Sequence, residues 1–150
     1  MKTAEELLIK GNRTLVTVPP ESTLHVAIRK MVQNKIGSIL VESEGKIIGI
    51  WTERDLLRCS LDTQFNPQKA IIKDNMQTDL HYASHKETIY QLMDKFLGLR
   101  IRHMLIKKKD RFIGMLSSGD IIQEALKEKA NELQKLNQVF SWEYYENWNW

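Results

Sequence analysis

The chain has 150 residues, 42% hydrophobic and 27% charged, with a net charge of +3. Such a composition builds one compact domain, or two small repeats on a shared core, without disulfides or metals. Its single cysteine, Cys59, excludes an internal disulfide and suits a reducing cytoplasm, and its one basic run, Lys107-Lys108-Lys109, falls short of a nucleic-acid-binding stripe. Near the start, Leu7, Leu8 and Ile9 are too brief a run for a signal-peptide core or a membrane span, and we read a short helix there. Residues 14–18 alternate ahead of Pro19 and Pro20 and read as extended. Ser22 or Thr23 then caps a helix whose apolar face holds Leu24, Ala27, Ile28, Met31 and Val32. Residues 38–41 and 47–51 form two strands around a turn at Gly45, and a helix starts near Thr52 with Glu53 and Asp55 in its first turn.

Residues 62–74 are polar and contain Pro67, so they connect this unit to a second one. There, residues 81–83 are extended, 88–97 helical, and 104–106 and 112–116 form a hairpin. A helix starts near Ser117, and its spacing persists to Phe140 through Ile122, Ala125, Leu126, Leu133 and Leu136. Trp142, Tyr144, Tyr145, Trp148 and Trp150 crowd the final nine residues and suit an oligomer contact, or a segment folded back over the repeats.

The two units are copies. Gly49-Ile50-Trp51-Thr52-Glu53-Arg54-Asp55 and Gly114-Met115-Leu116-Ser117-Ser118-Gly119-Asp120 share one pattern at an offset of 65. The same offset pairs Leu15 with Leu80, Thr23 with Thr88, Ile36 with Ile101 and Leu40 with Leu105, and no gap is needed. Self-similarity on this scale marks a tandem repeat.

The order strand, helix, strand, strand, helix, closed by those two motifs, resembles the cystathionine-β-synthase-type (CBS) domain. Lys73-Asp74-Asn75-Met76 and the strand Ile101-Arg102-His103-Met104-Leu105-Ile106 resemble the family as well. We therefore expect an α/β (α+β) pair of CBS repeats about a pseudo-twofold axis. Repeat one would cover 1–62 with the N-terminal helix, the connector 63–73, repeat two 74–126, and a helical and aromatic extension 127–150. The resemblance implies clefts between the repeats that bind an adenine nucleotide (AMP, ADP, ATP or NAD(H)) or S-adenosylmethionine. It also implies a homodimer.

Residue chemistry suits such a ligand. A carboxylate accepts from both ribose hydroxyls, and i, i+3 spacing sets Thr52 with Asp55, and Ser117 with Asp120, on one helical face. The same spacing is also that of ordinary helix caps. Arg102 and His103 are candidate phosphate holders, with Arg54 and Arg100 beside them; their alternative is a surface pair on an edge strand. Their first-repeat equivalents, Gly37 and Ser38, carry no charge, so the two clefts should differ. For adenine, Val16, Ile36 and Ile50 are candidates in one cleft, and His81, Ile101 and Met115 in the other; all six also suit a plain core.

No catalytic constellation and no metal cluster is read. Cys59 fits packing, and His81 with His85 find no completing ligands. The expected function is non-catalytic: a cytoplasmic nucleotide sensor, without nucleic acid or membrane, acting on an unknown protein partner. The alternative is a structural dimerisation module with degenerate clefts.

Overall fold

In this computed structural model, residues 1–12 and 14–135 are described. Helix α1 (Ala4–Gly11) precedes the first repeat: β1 (Thr17–Val18), α2 (Leu24–Asn34), β2 (Ser38–Ser43), β3 (Lys46–Thr52) and α3 (Glu53–Cys59). A 3-10 turn at Ile72–Asp74 leads to the second: β4 (Tyr82–Ser84), α4 (Ile89–Leu99), β5 (His103–Lys108), β6 (Arg111–Ser117) and α5 (Ser118–Lys135). This mixed architecture agrees with the expected fold class. Among the described residues, no helix is long and apolar enough to cross a membrane.

Equivalent chemistry starts and stops equivalent elements. The hydroxyls of Thr23 and Thr88 accept from the amides of Val26 and Gln91, satisfying donors that a helix start leaves open. At the far ends, Lys35 and Arg100 both adopt the left-handed conformation with φ 53°, which terminates each helix. Each repeat then forms a three-stranded sheet, β1-β2-β3 or β4-β5-β6, with a parallel first pair and an antiparallel second pair. Even the bulges coincide, at Val41/Glu42 and at Ile106/Lys107, 65 residues apart.

Each sheet buries one face against its own helices. Val18, Leu24, Ala27, Met31, Ile39, Val41 and Trp51 fill the first core, and Ala83, Ile89, Leu92, Phe96, Met104, Ile106 and Leu116 the second. The covers, however, are exchanged. Helix α1 lies first in the chain but packs Ala4, Leu7 and Leu8 into the second core, while Ile72, ahead of the second repeat, closes the first. Backbone bonds fix both crossings: Ala4 N to Glu87 O at 2.8 Å, and Ile72 N to Ser22 O at 2.8 Å.

Two helix faces differ from the sequence reading. Val32 is 72% exposed, because the packed face of α2 is centred on Leu24, Ala27 and Met31 and Val32 turns past its edge. On α5 the buried residues are Ile121, Glu124 and Ala130, whereas Ile122 and Leu126 face outward. Ser117 ends β6 just ahead of that helix, and the packed face runs through Ile121 and Glu124 with Ala125 at its edge, which leaves Ile122 and Leu126 outside it. Phe140 and the aromatic tail lie outside the described residues.

Candidate functional site

The two closing motifs fold alike where a strand passes into a helix. At the first, Asp55 N donates to Thr52 Oγ1 (3.4 Å), while Thr52 N (2.9 Å) and Thr52 Oγ1 (3.0 Å) donate to Asp55 Oδ2. This reciprocal pair is a capping box. At the second, Asp120 N donates to Ser117 Oγ at 3.1 Å and Ser117 N to Asp120 Oδ2 at 2.7 Å. The helix-capping alternative thus holds for both motifs. Asp55 is also buried, at 6% exposure, and its second oxygen accepts from Gln77 Nε2 (2.7 Å) and Arg58 Nη1 (3.4 Å).

A cavity of about 240 Å³ opens beside the first motif. Ile50, Leu80 and Ile101 give it an apolar floor, and Thr52 and His81 a polar wall. Arg54, Arg58, Arg100 and Arg102 surround it, against the carboxylates of Glu53 and Asp79. Four arginines facing two acids make this cleft electropositive. Asp55 itself is not on its lining, since its carboxylate is turned into the cap and onto Gln77.

The second cavity, about 190 Å³, is built from the opposite halves. Val16 and Ile36 of the first repeat meet Met115, Ser117 and Asp120 of the second, with Lys35 at its edge. Ser38 Oγ points at Met115 Sδ, 3.7 Å away. The apolar groupings expected from sequence are therefore crossed: Ile50 belongs with His81 and Ile101, and Met115 with Val16 and Ile36. Each cleft combines the lead-in segment of one repeat with the closing motif of the other. Sequence order alone does not reveal this exchange.

His103 and Gly37 line both cavities, so the clefts meet at these residues. Desolvation holds the His103 imidazole below its ordinary value; the charges of Asp120 and Glu53 oppose this and Arg102 adds to it. The ring is therefore neutral near pH 7, with one nitrogen available to donate and one to accept. The arrangement offers bidentate guanidinium forks, a neutral imidazole and a carboxylate along one continuous path, which suits an anionic ligand with an apolar, flat portion.

Among the lining residues that the sequence reading did not single out for the site are Arg58, Gln77, Asp79, Leu80 and Lys35. Arg58 is one helical turn from Arg54 on α3, a spacing that sets the two on one face and was available as a signal. Gln77 is brought in by its backbone, which pairs with Ile50 in both directions at 2.8 and 2.9 Å. Among the described residues, no group of three or more His, Cys, Asp or Glu side chains gathers as a metal site. Cys59 packs against the first core, and burial, followed by the Asp55 charge, pushes its thiol up and keeps it protonated.

Known proteins share this fold. The CBS domain family matches residues 5–62 and 69–127. The Arabidopsis thaliana CBS domain-containing protein CBSX3, mitochondrial, is 30% identical over 122 residues, 78% of this chain and 59% of that protein. The chain thus spans less than two thirds of that relative. Among solved structures, the CBS domain protein NE2398 is 31% identical with a TM-score of 0.78, covering 84% of this chain and 99% of the other. The CBS domain protein PAE2072 from Pyrobaculum aerophilum, complexed with AMP, is 18% identical with a TM-score of 0.70, over 84% and 99%. Two family matches spanning most of the chain, on two copies of one sheet-and-helix unit, make it a member of the CBS domain family in tandem form.

Proposed function

We propose that the chain is a non-catalytic regulatory module that binds an adenine nucleotide in its paired clefts and signals to a protein partner in trans. The observation that carries this is the electropositive cleft of Arg54, Arg58, Arg100 and Arg102 over an apolar floor, continuous through His103 with the cleft of Ser117 and Asp120. Phosphates would lie against Arg102 and His103, the ribose hydroxyls at Asp120, and the base between Val16, Ile36 and Met115. The AMP bound to the Pyrobaculum relative supports an adenine ligand; ADP, ATP, NAD(H) and S-adenosylmethionine are the other members of the test panel.

A homodimer belongs to the same reading. Val32 with Leu97, Leu57 with Ile122, and Leu61 with Leu126 are exposed apolar residues at equivalent places in both repeats, a symmetric surface for a second copy to cover.

Calorimetry and thermal shift with this panel test the reading. A ligand that binds only the folded chain raises its unfolding midpoint. Arg102→Ala is expected to weaken the ligand by about 10-fold or more, the loss of one charge-assisted phosphate contact. No response to any member at millimolar concentration overturns it. The structural-scaffold alternative then stands, favoured by the occupied state of Asp55.

A further inference from the structure

The two clefts and a third groove, of about 650 Å³, meet at one place: Gly37 and His103 line all three. Glu53 lines both the arginine-rich cleft and the groove. An anionic chain that passes from one cleft into the other therefore runs between the His103 ring and the Gly37 backbone.

Glu53 stands at that passage. It is the first residue of α3, and its amide donates to Gly37 O at 3.0 Å. Its carboxylate lies against Gly37: a Cβ built there would stand 3.1 Å from the carboxylate carbon and 3.2 and 3.3 Å from its oxygens. Any residue other than glycine at position 37 would thus push the carboxylate aside. Across the passage, desolvation lowers the His103 imidazole, and the Asp120 and Glu53 charges oppose this. The second repeat makes the same backbone bond, Ser118 N to Arg102 O at 2.9 Å, with the charge reversed. Where Gly37 and Glu53 bring one negative charge, Arg102 and Ser118 bring one positive charge. One repeat attracts an anion at the passage and the other repels it.

We propose that Glu53 is a charge filter on the passage: it opposes a nucleotide in proportion to the negative charge carried past His103. This deepens the nucleotide reading above and rests on it. The arginines supply the attraction, and Glu53 sets how steeply affinity climbs with the number of phosphates. The site then tells ligands apart by phosphate number as well as by base.

Metal-free calorimetric titration with adenosine, AMP, ADP and ATP tests this on the full chain, on Glu53→Gln, and on Glu53→Ser, which copies Ser118. Both variants, shown folded by circular dichroism, are expected to gain affinity most for ATP, then ADP, then AMP, and least for adenosine. The gain for ATP is expected at about 10-fold, the effect of removing one like charge close to the phosphates. It should shrink at high ionic strength. Asp79→Asn removes an acid that, of the three cavities, lines the arginine-rich cleft alone, and should give a smaller gain for ATP. An equal gain for adenosine and ATP, no gain, or a loss overturns the inference and leaves the nucleotide reading intact. The same holds if Asp79→Asn gains as much as Glu53→Gln. No binding of any of the four by parent or variants removes the nucleotide reading, and this inference with it.

Discussion

Leu8 occupies the space in which Gly114 lacks a side chain: a Cβ built there would stand 2.6 Å from both Leu8 methyl groups. Gly49 and Met76 stand in the same relation, with the sulfur 2.3 Å from such a Cβ. The glycine of each closing motif is thus a seat for a crossing segment. Gly114→Ala is expected to cost about 1–3 kcal/mol, the usual penalty of overpacking. In urea denaturation, Leu8→Ala combined with Gly114→Ala should lose less than the sum of the single losses, because the smaller residue frees the seat.

Thr52 and Asp55 cap α3 reciprocally, and Asp55 also ties it to Gln77. Thr52→Ala should destabilise the chain by about 1 kcal/mol, as cap removal commonly does. Asp55→Ala should cost more, since it also strands the Gln77 amide. Equilibrium denaturation ranks the two; an equal or reversed order would deny the Gln77 bond its structural weight.

The burial of His103 gives a pH dependence with a definite sign. Its folded value lies below its unfolded one, so the folded chain binds fewer protons there. Its contribution is full above about pH 6.5 and is lost as pH falls toward the depressed value. Glu5 and Glu6 are lowered too, chiefly by the bond from Lys108 and by the Thr3 amide, and their contributions decline only below about pH 4.3. Thermal unfolding from pH 7.5 to 5 should therefore show a loss in the parent that is reduced in His103→Gln.

Glu124 clasps α1 to α5. Only 6% exposed, its carboxylate accepts from Lys2 Nζ and from Lys10 Nζ, the latter at 3.1 Å. Burial pushes the carboxyl up, but the two ammonium groups more than offset this and hold it below the ordinary range. Glu124→Gln should lower stability by about 1–2 kcal/mol. Lys10→Ala should change it by less than 1 kcal/mol, because that ammonium is half exposed. Hydrogen exchange should report faster opening of α1 in the glutamine variant.

Much of the fold was legible because the repeat carries its own proof. An offset of 65 aligned Thr23 with Thr88 and Thr52 with Ser117, and each pair begins a helix. The exchange of covers was not legible, because the crossing segments keep a different spacing. Leu8 and Met76 are 68 apart, and Ala4 and Ile72 likewise, so the offset of 65 passes over them. The clefts suffered from the same blindness. Val16 and Met115 are far apart in the chain and in different repeats, and only the docking of one repeat on the other brings them together. The capping geometry of Asp55 was foreseen as an alternative, but its bond from Gln77 depends on a backbone bridge that no local pattern announces.

Helix α1 precedes both repeats in the chain, yet its seat is made by Gly114, Glu87 and Glu124, which are synthesised much later. The first repeat likewise waits for Ile72 and Met76 before its own core is closed. Neither half is therefore a folding unit during translation. The nascent chain must keep the apolar face of α1 uncovered until Gly114 and Glu124 have emerged, and then both halves close together, in one late and cooperative step.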